Sequence, residues 1–309
     1  MELFHQNTKI DFMGLRKWTG AFSLIISIIS LLLLFTKGLN FGLDFTGGTQ
    51  LELRYEHPIT PNEVREKLEK GGFEGIKVIQ YGSTRDILVK IANKKGVSEE
   101  QLSQKVLGVL KNDHDGIELR QVEFVGAEVS EHLAEQGGLA VLMALVATMI
   151  YIALRFEYRF GVSAAVALLH DPIVILGIFS FFQIEFDLAT LAAILAVIGY
   201  SLNDTIVVYD RVRENFRKVR QETPTQIMNL SINQTLSRTV MTSCLTLLVV
   251  IALYFFGGSS LHGFSLALII GIVIGTYSSI FIAGALALNM GLSRKALIGT
   301  PKKVVDEDP

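Results

Sequence analysis

The sequence contains little charge, little proline and almost no cysteine. Of its 309 residues only 19% are charged, six are proline, and the formal net charge at pH 7 is −2. With 50% hydrophobic residues and a mean hydropathy of +0.43, this composition excludes an ordinary soluble domain. The single cysteine, Cys244, excludes an intrachain disulfide.

What the chain does contain is a set of long apolar runs. Because a bilayer is crossed by roughly 20 apolar residues in a helix, each run is a candidate membrane span. The first lacks a small-residue cleavage site and therefore predicts a retained anchor. The six predicted spans are Trp18–Phe35, Gly138–Leu154, Gly161–Ile184, Leu188–Tyr209, Thr239–Phe256 and Phe264–Leu288.

The distribution of Lys and Arg predicts the orientation of these spans. Basic residues follow the second, fourth and sixth spans, whereas the loops Gln183–Asp187 and Gly257–His262 contain none. Since short cytoplasmic loops are enriched in Lys and Arg, both termini are predicted to be cytoplasmic. The predicted divisions are a cytoplasmic N-terminus (1–17), a first transmembrane helix (18–37), an exported domain (38–136), helices two to six (137–290) and a cytoplasmic tail (291–309).

The exported segment predicts a small α+β domain. Gln50–Tyr55 alternates apolar and polar residues as a strand does, and a capping box at Thr60 with Pro61 predicts a helix start. The remaining patterns complete the order β-α-β-β-α-β, a ferredoxin-like unit. Its acidic residues outnumber its basic ones, which argues against nucleic-acid binding.

Asn203 and Asp204 lie inside the fourth apolar span. A carboxylate in hydrocarbon costs about 2.5–3.5 kcal/mol on insertion scales, so such an acid is a functional candidate with a partner. Arg238, which precedes the fifth span from the same side of the membrane, is the best candidate partner. Burial favours the neutral acid and a nearby guanidinium favours the carboxylate, so the pair has the makings of a charge relay. The alternative is a fixed ion pair that locks two helices.

Two further features extend this predicted relay. Asp171, next to His170 and Pro172, places a second acid in the third span, where it acts either in the relay or as a protonated group bonding a neighbouring helix. In the fifth span Arg238, Thr242 and Thr246 recur on one face, with Thr239 and Ser243 beside them. Such a stripe is predicted to line a polar path beside Asp204.

A glycine-rich motif, FGLDFTGG, spans residues 41–48 and joins the first span to the exported domain. Its residues Gly42, Asp44, Gly47 and Gly48 are predicted to form a hinge and junction, because glycine permits tight backbone turns. A second hinge is predicted at Gly137-Gly138. A phosphate-cradling loop is disfavoured, since no Lys-Ser/Thr pair follows.

No residue pattern indicates an enzyme, a metal site or a cofactor. Asp171 and Asp204 suggest a two-aspartate intramembrane protease, but such catalysis needs two carboxyls that share a proton. Arg238 would hold one of them ionised, and no Gly-x-Gly-Asp motif occurs. The prediction is therefore a non-enzymatic membrane protein without cofactors.

Five motifs together resemble the SecF family of bacterial protein-export subunits, part of the SecD/SecF group and of the resistance-nodulation-division superfamily. They are FGLDFTGG (41–48), LLHDPIV (168–174), GYSLNDTIVVYDRVREN (199–215), SRTVMTS (237–243) and GTYSSI (275–280). The match extends along essentially the whole chain. The family's coupling acid falls on Asp204 and its arginine on Arg238.

This resemblance implies a multi-pass subunit of the bacterial inner membrane, with residues 38–136 in the periplasm. It implies that the subunit uses an ion gradient to help preproteins finish crossing the channel. The implied partners are SecD, which supplies another six-helix half, the SecYEG channel, YajC and the translocating preprotein.

The sequence leaves the coupling ion open and allows two alternative functions. The coupling ion is H⁺ or Na⁺, because a carboxylate with nearby hydroxyls serves either. An ion-coupled efflux transporter half is the alternative function, although efflux pumps of this superfamily generally carry two large exported domains in one chain. A pure scaffold is the third reading, and it predicts normal export by the Asp204→Asn variant.

Overall fold

The computed structural model describes residues 8–73, 75–80, 83–91, 99–111, 116–219 and 221–293. Within these ranges six helical segments are long and apolar enough to cross a membrane. A sheet-containing domain lies between the first and the second, which confirms the predicted fold class. The helices are α1 (Arg16–Thr36), α5 (Ala127–Arg155), α6 (Tyr158–Phe182), α7 (Leu188–Lys218), α8 (Pro224–Phe256) and a sixth made of α9 (His262–Ser278), a π-helical turn (Ser279–Ala283) and α10 (Gly284–Asn289).

Several helices extend well beyond the apolar runs that predicted them. The structure begins α5 at Ala127 and α8 at Pro224, and it ends α7 at Lys218. Hydropathy marks only the apolar part of a helix, whereas a capping box at Thr223 and Gln226 starts α8 in a polar region. Arg238 therefore lies about four turns inside α8 and not at its beginning.

The six helices form a central trio and a peripheral trio. The helices α6, α7 and α9 each bury about half of their most apolar stretch, whereas α1, α5 and α8 leave most of theirs exposed. Small residues of the sixth helical segment face the bundle interior, since Ala267, Gly271, Gly275, Ala283 and Ala287 are all buried. This face allows α9 to approach α7 closely.

One glycine sets the closest approach of α1 to α6. A Cβ on Gly177 would lie 2.7 Å from the Cα of Ser30, too close for any real contact. Ser30 itself is buried although most of α1 is exposed. Because position 177 has no side chain, the first helix can pack directly against α6.

We expect Gly177→Ala to lower the stability of the folded protein by about 1–3 kcal/mol, the usual cost of overpacking. The measurement is thermal unfolding of the purified protein in one detergent. Gly199→Ala in α7 is the matched control, because nothing lies within 4 Å of its added Cβ. Equal melting temperatures for the two variants would contradict the expectation.

The domain that is predicted to be exported, called the exported domain below, contains a four-stranded antiparallel sheet and two helices among its described residues. Its core includes 16 buried residues from the described ranges, among them Leu51, Leu53, Val64 and Leu68. The strand order β3-β4-β2-β5 and the chain order confirm the predicted β-α-β-β-α-β arrangement. The elements are β2 (Gly48–Tyr55), α3 (Pro61–Lys70), β3 (Lys77–Gln80), β4 (Asp86–Ile91), α4 (Glu99–Lys111) and β5 (Ile117–Val125).

A buried carboxylate at the start of β4 joins that strand to β2 and to the turn that precedes it. Asp86 accepts two hydrogen bonds from Arg54, at 2.8 and 3.1 Å, and one from Ser83 at 2.6 Å. The Arg54 guanidinium is the main reason that the pKa of Asp86 falls to about 2. The carboxylate therefore stabilises the fold above its unfolded-state pKa, near 3.9, and this contribution is lost as the pH falls through about 2.

We expect Asp86→Asn to destabilise the exported domain at pH 7 by about 1–3 kcal/mol, because Arg54 loses its charged partner. The deficit relative to wild type should shrink as the pH falls from 4 to 2, where Asp86 becomes protonated. Hydrogen exchange of strands β2 and β4 in the full-length protein measures both effects. Arg85→Gln, on the exposed side of the same turn, should stay within about 0.5 kcal/mol.

The structure contradicts one predicted hinge. Gly137 and Gly138 lie inside α5, so the second hinge predicted there is wrong; the domain instead joins α5 at Gly126. Gly137 serves close packing, since a Cβ there would lie 2.9 Å from Leu191 Cδ2. Most of the predicted cytoplasmic tail, from residue 294 onward, lies outside the described residues.

Candidate functional site

Asp204 is buried in the middle of the helix bundle. Its residue is 4% exposed, and its Oδ2 atom has no hydrogen-bond partner among the described residues. It projects from α7, whose interior face also buries Ser201, Thr205 and Val208. A buried carboxylate without a partner is costly, so its retention in the bundle indicates a role other than packing.

Arg238 lies near Asp204 without forming an ion pair with it. The positive charge of Arg238 acts on Asp204, but no ion pair within 4.0 Å joins Asp204 to any residue in the described ranges. Arg238 and Asn203 are both exposed on the surface of this chain. The structure thus shows the predicted partner close by and separated from the acid.

The polar stripe on α8 divides into two faces. Thr242 donates to the backbone oxygens of Arg238 and Thr239, at 3.1 and 3.0 Å, and Thr246 donates to that of Thr242. These hydroxyls are satisfied by their own helix. Thr239, in contrast, is 2% exposed, and its hydroxyl has no partner among the described residues. Of the three threonines in this stripe, Thr239 is therefore the one whose hydroxyl is available to bind another group.

Ser243 continues this inner face of α8. It is buried, accepts a hydrogen bond from Tyr200 of α7 at 3.2 Å, and shares one with Thr276 of α9 at 2.8 Å. The three helices are thereby joined by a hydroxyl chain at the turn after Thr239. A hydrogen-bonded network of this kind fixes the relative register of the helices.

Asp171 forms a second buried network, which is fully hydrogen-bonded at the carboxylate. Its Oδ2 accepts from Ser201 of α7 at 2.5 Å and from Ser278 of α9 at 2.9 Å. Its Oδ1 lies 3.0 Å from His170 Nδ1. Gly275 makes room for Ser201 beside Asp171, because a Cβ on residue 275 would lie 2.9 Å from the Cβ of Ser201. Ser201 lies one turn before Asp204 on the same helix, so the two acids occupy neighbouring positions.

The glycine-rich junction contacts the start of α7. The motif contains β1 (Asn40–Phe41) and a one-turn helix α2 (Leu43–Thr46), and β1 pairs in parallel with β6 (Glu185–Phe186), just before α7. Asp44 Oδ2 accepts a hydrogen bond from the Leu188 amide at 2.9 Å, and Asp187 caps the same helix through Thr190 at 2.7 Å. Carboxylates at a helix N-terminus stabilise it. The exported domain is thus tied to the helix that carries Asp204.

The junction glycines are required by geometry. Gly47 and Gly48 have φ of 64° and 133°, which L side chains rarely adopt. A Cβ on Gly48 would also lie 2.5 Å from the Ile91 carbonyl oxygen. Gly42 donates its amide to Phe186 O at 2.8 Å and leaves no room for a side chain against Asp187.

Polar contacts hold the exported domain against the loop between α6 and α7, residues 183–187, which is called the membrane-side loop below. Lys90 of β4 forms an ion pair with Glu185 of β6, and Lys77 of β3 donates to Asn40 at 2.7 Å. Nearby, burial raises the pKa of Glu123, and the charge of Asp44 raises it further. These carboxylates and lysines form a cluster at the foot of the domain.

Sequence reasoning missed two parts of this arrangement. Ser201, Ser278 and His170 carried no signal beyond membership of apolar spans, and two-residue strands such as β1 and β6 are too short for any periodicity to predict. No group of three or more His, Cys, Asp or Glu side chains arranged to hold a metal ion occurs among the residues that the structure describes.

Comparisons with known proteins place these features in a family context. Residues 105–293 match the family described as protein export membrane protein SecD/SecF, C-terminal, and residues 32–59 match the SecD/SecF GG motif. Protein translocase subunit SecF of Vibrio alginolyticus is 48% identical over 94% of this chain and 92% of its own length. SecF of Pseudomonas aeruginosa is 46% identical over 97% of this chain and 98% of its own.

A solved structure shares the architecture. The crystal structure of SecDF from Thermus thermophilus, described as a translocon-associated membrane protein, superposes with a TM-score of 0.85 at 37% identity. The match covers 93% of this chain but 39% of that one, so this chain spans well under half of the SecDF polypeptide.

Proposed function

The chain belongs to the SecD/SecF family of protein-export membrane proteins, and on that premise we propose that it is a subunit of the Sec protein translocase that uses an ion gradient to drive late preprotein translocation. Its named relatives are translocase subunits, in agreement with the prediction that it is not an enzyme. The observation that carries the ion-coupled mechanism is the buried Asp204 carboxylate with its unpartnered Oδ2.

In this mechanism Asp204 binds and releases the coupling ion. When Arg238 is close, its positive charge compensates the Asp204 carboxylate, which then binds no ion. When Arg238 is displaced, the carboxylate binds H⁺ or Na⁺, so that the bundle interior stays neutral. The free hydroxyl of Thr239 supplies a hydrogen-bonding group beside it. Asn203 and Thr242 flank the path, on the face of this chain that a partner would cover.

The junction motif supplies the mechanical connection. Any shift of α7 that follows a change at Asp204 reaches Asp44 through the Leu188 amide, and it reaches β1 through β6. From Asp44 the chain runs through Gly47 and Gly48 directly into the central strand β2. The exported domain therefore moves with the helix that binds the ion.

The partner that completes the path is SecD, which supplies a second six-helix half. Arg238 and Asn203 are polar groups exposed at membrane depth, and such groups require a protein or aqueous neighbour. The exposed flanks of α1, α5 and α8 provide helix surface for the contact. SecYEG, YajC and the emerging preprotein are the remaining proposed partners, through the family's role.

The proposed location is the bacterial inner membrane, with both termini cytoplasmic and residues 38–136 periplasmic. Basic residues at the α5–α6 connection and the end of α7 support this orientation. They lie at the opposite ends of these helices from the exported domain.

The experiment that tests the function is export of a preprotein into inverted vesicles that contain the complete complex. The proton gradient and the sodium gradient are collapsed separately. We expect one of the two treatments to slow the late stage of export, which also identifies the coupling ion. Export that is unaffected by either treatment would exclude ion coupling and leave a scaffold.

A further inference from the structure

His170 is a buried ionisable side chain that takes no part in the ion binding proposed for Asp204. It is 7% exposed, and its Nε2 atom has no hydrogen-bond partner among the described residues. Its Nδ1 atom lies 3.0 Å from Asp171 Oδ1. A carboxylate that only joined helices would need Ser201 and Ser278 alone. The imidazole adds a buried nitrogen without a hydrogen-bond partner, which destabilises the fold and adds no contact between helices.

The hydrogen bonds identify the atom that can bind a proton. Asp171 Oδ2 already accepts two hydroxyl protons, so it is not available. When Asp171 is ionised, His170 Nδ1–H donates to Oδ1, and Nε2 holds a free lone pair. A proton taken from water by Nε2 converts the imidazole to imidazolium beside the carboxylate. No other bond changes, and release of the proton reverses the step.

The surrounding helices carry few charged groups that could compensate a proton bound to His170. Between their polar ends α1, α5 and α9 carry no Asp, Glu, Lys, Arg or His. The neighbouring tyrosines, Tyr200, Tyr209 and Tyr277, are all hydrogen-bonded phenols. Among the described residues the cation that acts on Asp204 is Arg238 of α8, which is exposed on the surface of this chain. Because Ser201 bonds Asp171 and lies one turn from Asp204, the negative charge of each acid disfavours ionisation of the other.

We propose that His170 and Asp171 form a second proton-binding site of the bundle, in which His170 Nε2 gains and loses the proton as Asp204 changes charge. When Asp204 is ionised and paired with Arg238, the His170–Asp171 pair retains its proton and is neutral. When Asp204 is neutralised, its charge no longer opposes that of Asp171, so the pair can release its proton and become the anion. Ser201 connects the two acids, since it bonds Asp171 and lies one turn from Asp204. The inference rests on the proposed ion coupling through Asp204.

The test is a pH titration of ¹³C-histidine-labelled complex in lipid nanodiscs, followed by NMR. Of the six histidines, His170 is assigned by the His170→Gln variant. We expect its ring resonance to change with pH in the wild type, as the imidazole gains and loses its proton. In Asp171→Asn the titration should be lost, because a buried imidazolium without a counter-charge is strongly disfavoured. Ser201→Ala, which leaves both ionisable groups in place, should retain a titration.

An export assay supplies a second readout. His170→Gln should flatten the pH dependence of gradient-driven export, measured in vesicles that hold the same amount of complex as the wild type. A His170 resonance that is constant from pH 5 to 9, or one that titrates unchanged in Asp171→Asn, would overturn the proposal.

The failures of the two ideas are distinguishable. If Asp204→Asn exports normally while His170 titrates, the coupling role of Asp204 is wrong and the proton site stands. If Asp204→Asn abolishes gradient-driven export and His170 does not titrate, only the second site is wrong.

Discussion

Replacing Asp204 by asparagine is expected to abolish gradient-driven export while leaving the complex folded and assembled. Asparagine keeps the shape and much of the hydrogen bonding of aspartate but cannot bind or release the ion. One charge moved through 100 mV of membrane potential supplies about 2.3 kcal/mol, roughly a 50-fold bias in an equilibrium. Without the titrating group that bias is lost. The measurement is gradient-dependent release of a trapped preprotein from vesicles that hold equal amounts of complex.

Two variants set the scale of this result. Arg238→Met should lose gradient-driven export to a similar extent, because Asp204 then lacks its compensating charge. Asp171→Asn should be milder, since Ser201 and Ser278 still bond the remaining oxygen. Equal release by wild type and Asp204→Asn would make Asp204 a structural residue.

Crosslinking the exported domain to the membrane-side loop is expected to stop gradient-driven export with assembly intact. Lys90 of β4 and Glu185 of β6 are in direct contact, so cysteines at these two positions can be joined by a short bifunctional reagent. The background is Cys244→Ser, which removes the only native thiol. The expectation is that a shift of α7, passed on through Asp44, turns the domain at Gly47 and Gly48 and separates Lys90 from Glu185. The crosslink prevents this separation and therefore blocks the cycle.

The chain offers a matched control for this experiment. Lys77 and Lys90 are directly paired across β3 and β4, so a crosslink between positions 77 and 90 stays within the domain. That crosslink should leave export unchanged, as should the 90/185 variant without reagent. Undiminished export by the crosslinked 90/185 protein would show that the domain acts without separating from the loop.

Much of the fold is predictable from the sequence, because hydrophobic periodicity and caps are local signals. The helix predicted from the capping box at Thr60 begins at Pro61, and the predicted strand Gln50–Tyr55 lies within β2 (Gly48–Tyr55). The errors arise where helices continue through polar sequence: α5 begins at Ala127 because Gly126 supplies the extended residue before it, and no apolar run marks that start. The predicted hinge at Gly137-Gly138 failed for this reason.

The candidate site is predictable in its ionisable residues and unpredictable in its partners. An acid in an apolar span is rare enough to identify Asp204 and Asp171 from the sequence alone. Which hydroxyls meet them depends on how the helices are rotated, and a 100° step separates the exposed Arg238 from the buried Thr239. The contact between Asp44 and the Leu188 amide joins residues 144 positions apart, and no local pattern encodes it.

The pairing of Gly48 with Val125 determines how the exported domain bears load. These residues are the first of β2 and the last of β5, so both tethers leave the sheet at the same end of two adjacent antiparallel strands. A force that separated the tethers would open the β2–β5 ladder one pair at a time, the geometry in which a sheet resists least. A force that moves both tethers together leaves the ladder unstrained. Because α2 packs against α5 beside this point, the two tethers are held together where they enter the domain, which favours their moving as a pair.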